Sequence, residues 1–144
     1  MVNQSMLPFE KAVDEANRWL NEICAETGRD NTQLAYHALR GALFALRDRL
    51  PTHEALALSS QLPLIVRGIF FEGYSPNNKP EKYGRQEFVN RVSKELIAGG
   101  GDDNPAGTLN ATLRVIGRNV SPGLTKQVRS NLPKDILTLW EEAV

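Results

Sequence analysis

The side chains able to act as nucleophile, base or metal ligand are few and scattered. Cys24 is the one cysteine, and His37 and His53 are the only histidines. A metal site usually needs several such ligands at short spacing, so one here would have to be built mostly from carboxylates. Cys24 lies beside an apolar stripe with no histidine near it in sequence, which reads as a small core filler rather than a thiolate nucleophile. His37 also neighbours an apolar stripe, and a histidine without a partner at ligand spacing reads as a hydrogen-bonded structural residue. Glu72, Glu81 and Glu87 flank one loop, yet nothing in their spacing sets up an acid/base pair. Asp102, Asp103 and Asn104 follow three glycines. They lack the spaced oxygens and distal glutamate of a calcium loop, so capping of the next helix is the expected role. There is no GxGxxG, no phosphate loop, no HExxH and no CxxC. No catalytic residue, metal ligand or cofactor is therefore expected.

Binding character is concentrated in one region. The stretch LPLIVRGIFFEG (62–73) opens with Pro63, at the point where a missing N–H costs a helix nothing, and ends at Gly73. Leu64, Ile65, Val66, Ile69, Phe70 and Phe71 make this fourth helix apolar on most sides, the pattern of a central helix or of an interface. Gly68 in its middle is expected to allow close approach of another helix. The loop that follows, residues 73–84, is rich in proline and asparagine and carries Tyr74, Lys79, Lys82 and Tyr83. It reads equally well as a binding loop or as a linker anchored by its tyrosines. On the interface reading, Ile65 and Phe71 would be the apolar centre, Arg67 and Glu72 the charged rim and Tyr74 the aromatic anchor, with Lys79 and Tyr83 beside it. Leu64, Ile65 and Phe71 should then be covered, either by the first helix and the loop or by a second chain.

The elements that must position these residues are helical. Shifted by 70 positions, the chain matches itself without a gap: Leu39, Leu43, Leu46 and Leu50 fall on Leu109, Leu113, Ile116 and Val120, and Val66, Ile69 and Phe70 on Ile136, Leu139 and Trp140. The matches are apolar and helically spaced, so the repeat is one of structure. The fourth helix differs from its counterpart at Leu64, Ile65 and Phe71, which fall on Lys134, Asp135 and Glu141. These counterparts show that the repeated core does not need apolar residues there.

Periodicity and capping predict about eight helices. The first runs from Pro8 to about Thr27, with Phe9, Ala12, Val13, Ala16, Trp19, Leu20 and Ile23 on one stripe and Gly28 as a left-handed stop. Asp30 or Asn31 caps the second, and its buried face runs from Leu34 to Leu50. Arg47, Asp48 and Arg49 read as a solvated last turn. Thr52 caps a short third helix from His53 to about Ser60. After the loop, Arg85 to Ala98 forms a helix ended by Gly99, Gly100 and Gly101. Pro105 opens the sixth helix, Ser121-Pro122 the seventh, and Pro133 to Ala143 forms the last. The expectation is an all-α fold of two pseudo-symmetric four-helix repeats, 8–73 and 85–144, joined by loop 74–84 and sharing one core in a single domain, 1–144.

Lysine plus arginine equals aspartate plus glutamate, 17 against 17, over 144 residues. Residues 1–30 hold six acids and three bases, whereas 104–134 hold five bases and no acid. Without interleaved aromatics this basic run is a weak nucleic-acid signal, and packing of the two oppositely charged segments explains it better. No nucleic-acid partner is expected. The longest apolar run is too short to span a bilayer, the N-terminus lacks a signal-peptide pattern, and a single cysteine suits a reducing cytoplasm.

The stretch ALRGALFALRDRLPTHEALALSSQLPLIVRGIFFEGYSP, with EFVNRV and LPKDILTLW after it, resembles the bacterial family catalogued as domain of unknown function 2267. Its most specific part is LP, then RGIFFEGY, a proline loop and EF. Tyr74 stands where that family commonly carries tryptophan. The resemblance implies a small all-helical bacterial protein and supplies no catalytic residues. Three functions follow as expectations: a non-enzymatic protein-interaction module using the fourth helix and the loop, a carrier of a small apolar ligand between helices, or an enzyme with an unrecognised site. The missing motifs favour the first. Its partner would be another protein or a second copy of the chain.

Overall fold

Three of the helices begin at a side chain that closes the first turn. The computed structural model describes residues 7–141, which form eight α-helices and no strand. They are α1 (Pro8–Thr27), α2 (Thr32–Arg49), α3 (Thr52–Ser59), α4 (Leu64–Phe71), α5 (Arg85–Ala98), α6 (Pro105–Asn119), α7 (Pro122–Ser130) and α8 (Lys134–Glu141). Ala143, the expected end of the last helix, lies outside the described residues. The side chains of Asn31, Asn104 and Ser121 accept from the Leu34, Gly107 and Leu124 amides, satisfying donors that a helix start leaves unpaired. Gly28, at φ 75°, ends α1 in the left-handed region and donates to the Cys24 carbonyl. Thr52 does not cap α3. Pro51 holds the N-cap position, and the Thr52 hydroxyl donates instead to Pro76 O across the loop at 3.2 Å.

Packing runs across the halves of the chain. α2 packs most extensively on α5, and α1 on α6. α2 also meets α1, α3, α4 and α6, while α6 also meets α5 and α8. The two central helices are therefore α2, buried from Leu34 through Arg47 on most of its turns, and α6, buried at Thr108 to Leu113, Val115 and Ile116. One apolar cluster joins Trp19, Leu39, Leu43, Phe70 and Phe88 to Leu109, Ile116 and Leu139. α2 and α5 approach closely at Gly41. A Cβ there would lie 3.1 Å from the Glu95 Cβ and 3.2 Å from the Val92 Cα, so a larger side chain would push α2 and α5 apart.

Three sequence expectations change. Gly68 is exposed, with nothing within 4 Å of an added Cβ, and makes no close helix approach. α4 is not the central helix, since only Val66 and Phe70 of it are buried. Arg47, Asp48 and Arg49 are not a solvated turn: they carry the ties that hold the loop after α4. Arg47 is buried, and its guanidinium donates to Phe70 O at 2.8 Å and to Glu72 O at 2.5 Å. The carbonyls at the end of α4 need donors, and a long, permanently charged side chain from α2 reaches them.

Candidate functional site

α4 has an inner and an outer side. Val66 and Phe70 point inward and are fully buried. Leu64 is 60 % exposed, and Ile65, Ile69 and Phe71 are half-buried. α1 packs beside α4, and its first turns leave Leu7, Val13 and, at 80 %, Phe9 exposed. The sequence puts Phe9 and Val13 on the apolar stripe of this helix. Only Trp19 and Ile23 of that stripe are fully buried, because α1 reaches its main partners with its second half. The periodicity was present in the sequence. What it could not show is that the first turns of α1 run past the helices that would cover them. The fourth helix therefore does not hide all its extra apolar residues within the same chain, and α1 adds to the exposed apolar surface.

The structure connects three of the expected site residues, Phe71, Tyr74 and Lys79, and places the others apart. Arg67, though its residue is exposed, donates through Nε to Ser59 O at 2.9 Å and through Nη2 to Leu62 O at 2.8 Å. It thus serves the carbonyls at the end of α3. Phe71 meets Phe70 and Tyr74 edge-on, with ring centroids 5.1 and 5.8 Å apart. The Tyr74 hydroxyl is buried with no hydrogen-bond partner among the described residues. The Lys79 ammonium lies 5.7 Å from the Tyr74 ring centre, so Phe71, Tyr74 and Lys79 form one connected group. The Glu72 carboxylate pairs with Arg40. Ile65 sits in the first turn of α4, and Tyr83 lies at the far end of the loop.

The loop is tied down along its length. The Tyr83 hydroxyl donates to Ala45 O at 2.5 Å, and Arg49 donates to Tyr83 O at 2.7 Å. The Glu81 amide donates to Asp48 O at 2.8 Å. Glu81 accepts from Lys79 at 2.7 Å and from Arg91 at 3.0 Å. Its hydrogen bond to Lys79 is the largest of the effects that hold its carboxyl below the usual glutamate range. Arg91 also lies over the Tyr83 ring, 4.0 Å from its centre. Burial pushes the Tyr83 hydroxyl pKa well up, so the phenol stays a neutral donor. The peptide bond between Lys79 and Pro80 is cis.

Elsewhere, ionic contacts are structural in character. Arg118 pairs with Glu26 at 2.8 Å, and Arg114 lies 3.9 Å from it, so acids of α1 face bases of α6. His37 meets Glu95 at 3.0 Å. Asp102, with its side chain fully buried, accepts from Arg29 at 3.0 and 3.2 Å and from the Asn104 amide at 3.0 Å, and it also pairs with Thr108. Among the described residues no group of three or more histidine, cysteine, aspartate or glutamate side chains could hold a metal ion. No helix of these residues is long and apolar enough to cross a membrane.

The sequence model of a family described as "Uncharacterized conserved protein", domain of unknown function 2267, matches residues 16–139. No curated protein matches the chain.

Proposed function

Because this chain belongs to the uncharacterized conserved family of domain of unknown function 2267, whose name carries no activity, we propose a function from the surface alone: a non-enzymatic, cytoplasmic protein-interaction module. Its contact face is the outer side of α4 together with the first turns of α1. The observation that carries this reading is the exposure of Phe9 on α1 and Leu64 on α4, two helices that pack together, with Ile65 and Phe71 of α4 half-buried. Soluble chains seldom leave several large apolar side chains on neighbouring elements without a use. Glu10 and Asp14 stand on the same turns of α1 as Phe9 and Val13. The fitting partner thus has an apolar centre and a basic edge. Phe71, Tyr74, Lys79 and Tyr83 shape the face by holding the loop, and Arg67 and Glu72 border it.

The test uses Leu64→Lys, which installs the residue found seventy positions later. An exposed site should tolerate it, with stability within about 0.5 kcal/mol of wild type. Wild type and variant are each immobilised, and the proteins they retain from native extract are compared by quantitative mass spectrometry. Sedimentation velocity of the pure chain reports a second copy as partner. The reading predicts a folded variant that loses a partner or the self-association. A folded variant that retains everything the wild type retains removes α4 from the contact face.

We also propose that the two halves are copies of one four-helix unit. The packing supports this. Exchanging α1 with α5, α2 with α6 and α4 with α8 carries the α2–α5 contact onto α6–α1. It also carries α2–α4 onto α6–α8 and α1–α4 onto α5–α8, and all of these pairs pack.

A further inference from the structure

α6, α7 and α8 border an open groove of about 500 Å³. This is within the size range of small-molecule sites, roughly 300–1,000 Å³. Its apolar floor comes from Leu137 of α8, Pro122 of α7 and the bare backbone of Gly117 on α6. Its wall carries two bases of α7, Lys126 and Arg129, and the neighbouring Thr125 and Ser130. Arg129 is matched by Glu141. Lys126 is exposed and has no ion pair among the described residues. Among the described residues the groove therefore presents one positive charge without an ion pair above an apolar surface.

The first half of the chain treats the corresponding positions differently. Seventy positions before Gly117, Lys126 and Leu137 stand Arg47, Leu56 and Arg67. There Arg67 closes onto the Ser59 and Leu62 carbonyls, and Arg47 is buried against the end of α4. In the second half glycine and leucine replace the two arginines: the Trp140 indole packs against Gly117, and Leu137 lines the groove. Lysine in place of Leu56 supplies the charge.

We propose that this groove binds a small amphipathic carboxylate, with its head group on Lys126 and its chain against Leu137, Pro122 and Gly117. An ammonium head group would meet two bases. A neutral alcohol would cover the floor but leave Lys126 to water, without the charge-assisted hydrogen bond that a carboxylate makes. The groove uses α6, α7 and α8 and no residue of α1 or α4, so its failure and that of the interaction face are separate results.

The experiment is a titration of the full-length, isotope-labelled chain with octanoate, octanol and octyltrimethylammonium, followed by amide chemical shifts. Octanoate should shift the amides of Gly117, Thr125, Lys126 and Ser130 saturably. Octanol should bind about threefold more weakly, and octyltrimethylammonium weaker still. Lys126→Glu changes an exposed side chain and leaves the spectrum otherwise folded; it should weaken octanoate at least about tenfold. Trp140 gives a second readout, since its indole lies 3.4 Å from the position of an added Cβ on Gly117. Equal binding of octanol and octanoate, an unchanged affinity in Lys126→Glu, or shifts centred on α1 and α4 would each overturn the proposal.

Discussion

Arg47 is a polar residue in the core that looks, in sequence, like a helix-end charge. Its guanidinium lies 4.1 Å from the Phe44 ring centre and supplies the carbonyls of Phe70 and Glu72. Arg47→Met keeps the volume and removes the donors. It should cost about 2–3 kcal/mol in chemical denaturation, because two carbonyls lose charged partners. Asp102 makes the same point with a pH dependence. Burial alone would raise its pKa; the hydrogen bonds from Arg29, Thr108 and the Asn104 amide outweigh burial and hold it at about 2, below its usual 3.8. A carboxyl with a lowered folded pKa stabilises the fold above its unfolded pKa and loses that contribution as pH falls from about 4 to about 2. The Arg29 side chain is 40 % exposed, which discounts the contribution to about 1–2 kcal/mol. Denaturation curves at pH 7 and pH 2.5 should differ by that much more in wild type than in Asp102→Asn. An equal pH dependence would mean that Asp102 is not the titrating group.

At the scale of elements, two glycines in helices have opposite roles. Gly68 is exposed, and nothing lies within 4 Å of an added Cβ, so Gly68→Ala should stabilise α4 by about 0.5–1 kcal/mol. Gly41 is buried where α2 crosses α5, and Gly41→Leu should destabilise by about 1–3 kcal/mol or more by pushing the helices apart. A thermal melt of the two variants separates them by sign. Both glycines are plain in the sequence, each inside a helical pattern. Which of them touches another helix depends on the direction each helix face takes, and that is a property of the packed state.

For the whole molecule, the main helix contacts join one half of the chain to the other: α1 with α6 and α2 with α5. Fragments 1–77 and 78–144 should therefore each show little helical circular dichroism alone. A half would lack the partners of its longest helices, and short helices are marginal without tertiary burial. Mixed at equal concentration, they should recover helicity. A second half that melts cooperatively alone would show that the halves are independent domains.

Much of the architecture was legible before any coordinates. The eight helices follow from apolar positions at helical spacing and from caps such as Asn31, Asn104 and Ser121, because both are local properties of a few adjacent residues. The absence of catalytic motifs was equally a property of the string. Long-range pairing decided the rest. Phe9 and Leu56 carry core-like signals yet are exposed, while Arg47 and Glu54 carry surface-like signals yet are buried. The contrast of Leu64, Ile65 and Phe71 with their polar counterparts marked α4 as unusual, but not that Leu64 would face outward. Likewise, the replacement of Arg47 and Arg67 by Gly117 and Leu137 is visible in the sequence. That Gly117 and Leu137 line a groove beside Lys126 follows only when α6, α7 and α8 are placed together. Hydrophobic periodicity says which face of a helix is apolar; only the tertiary structure decides whether another element arrives to cover it.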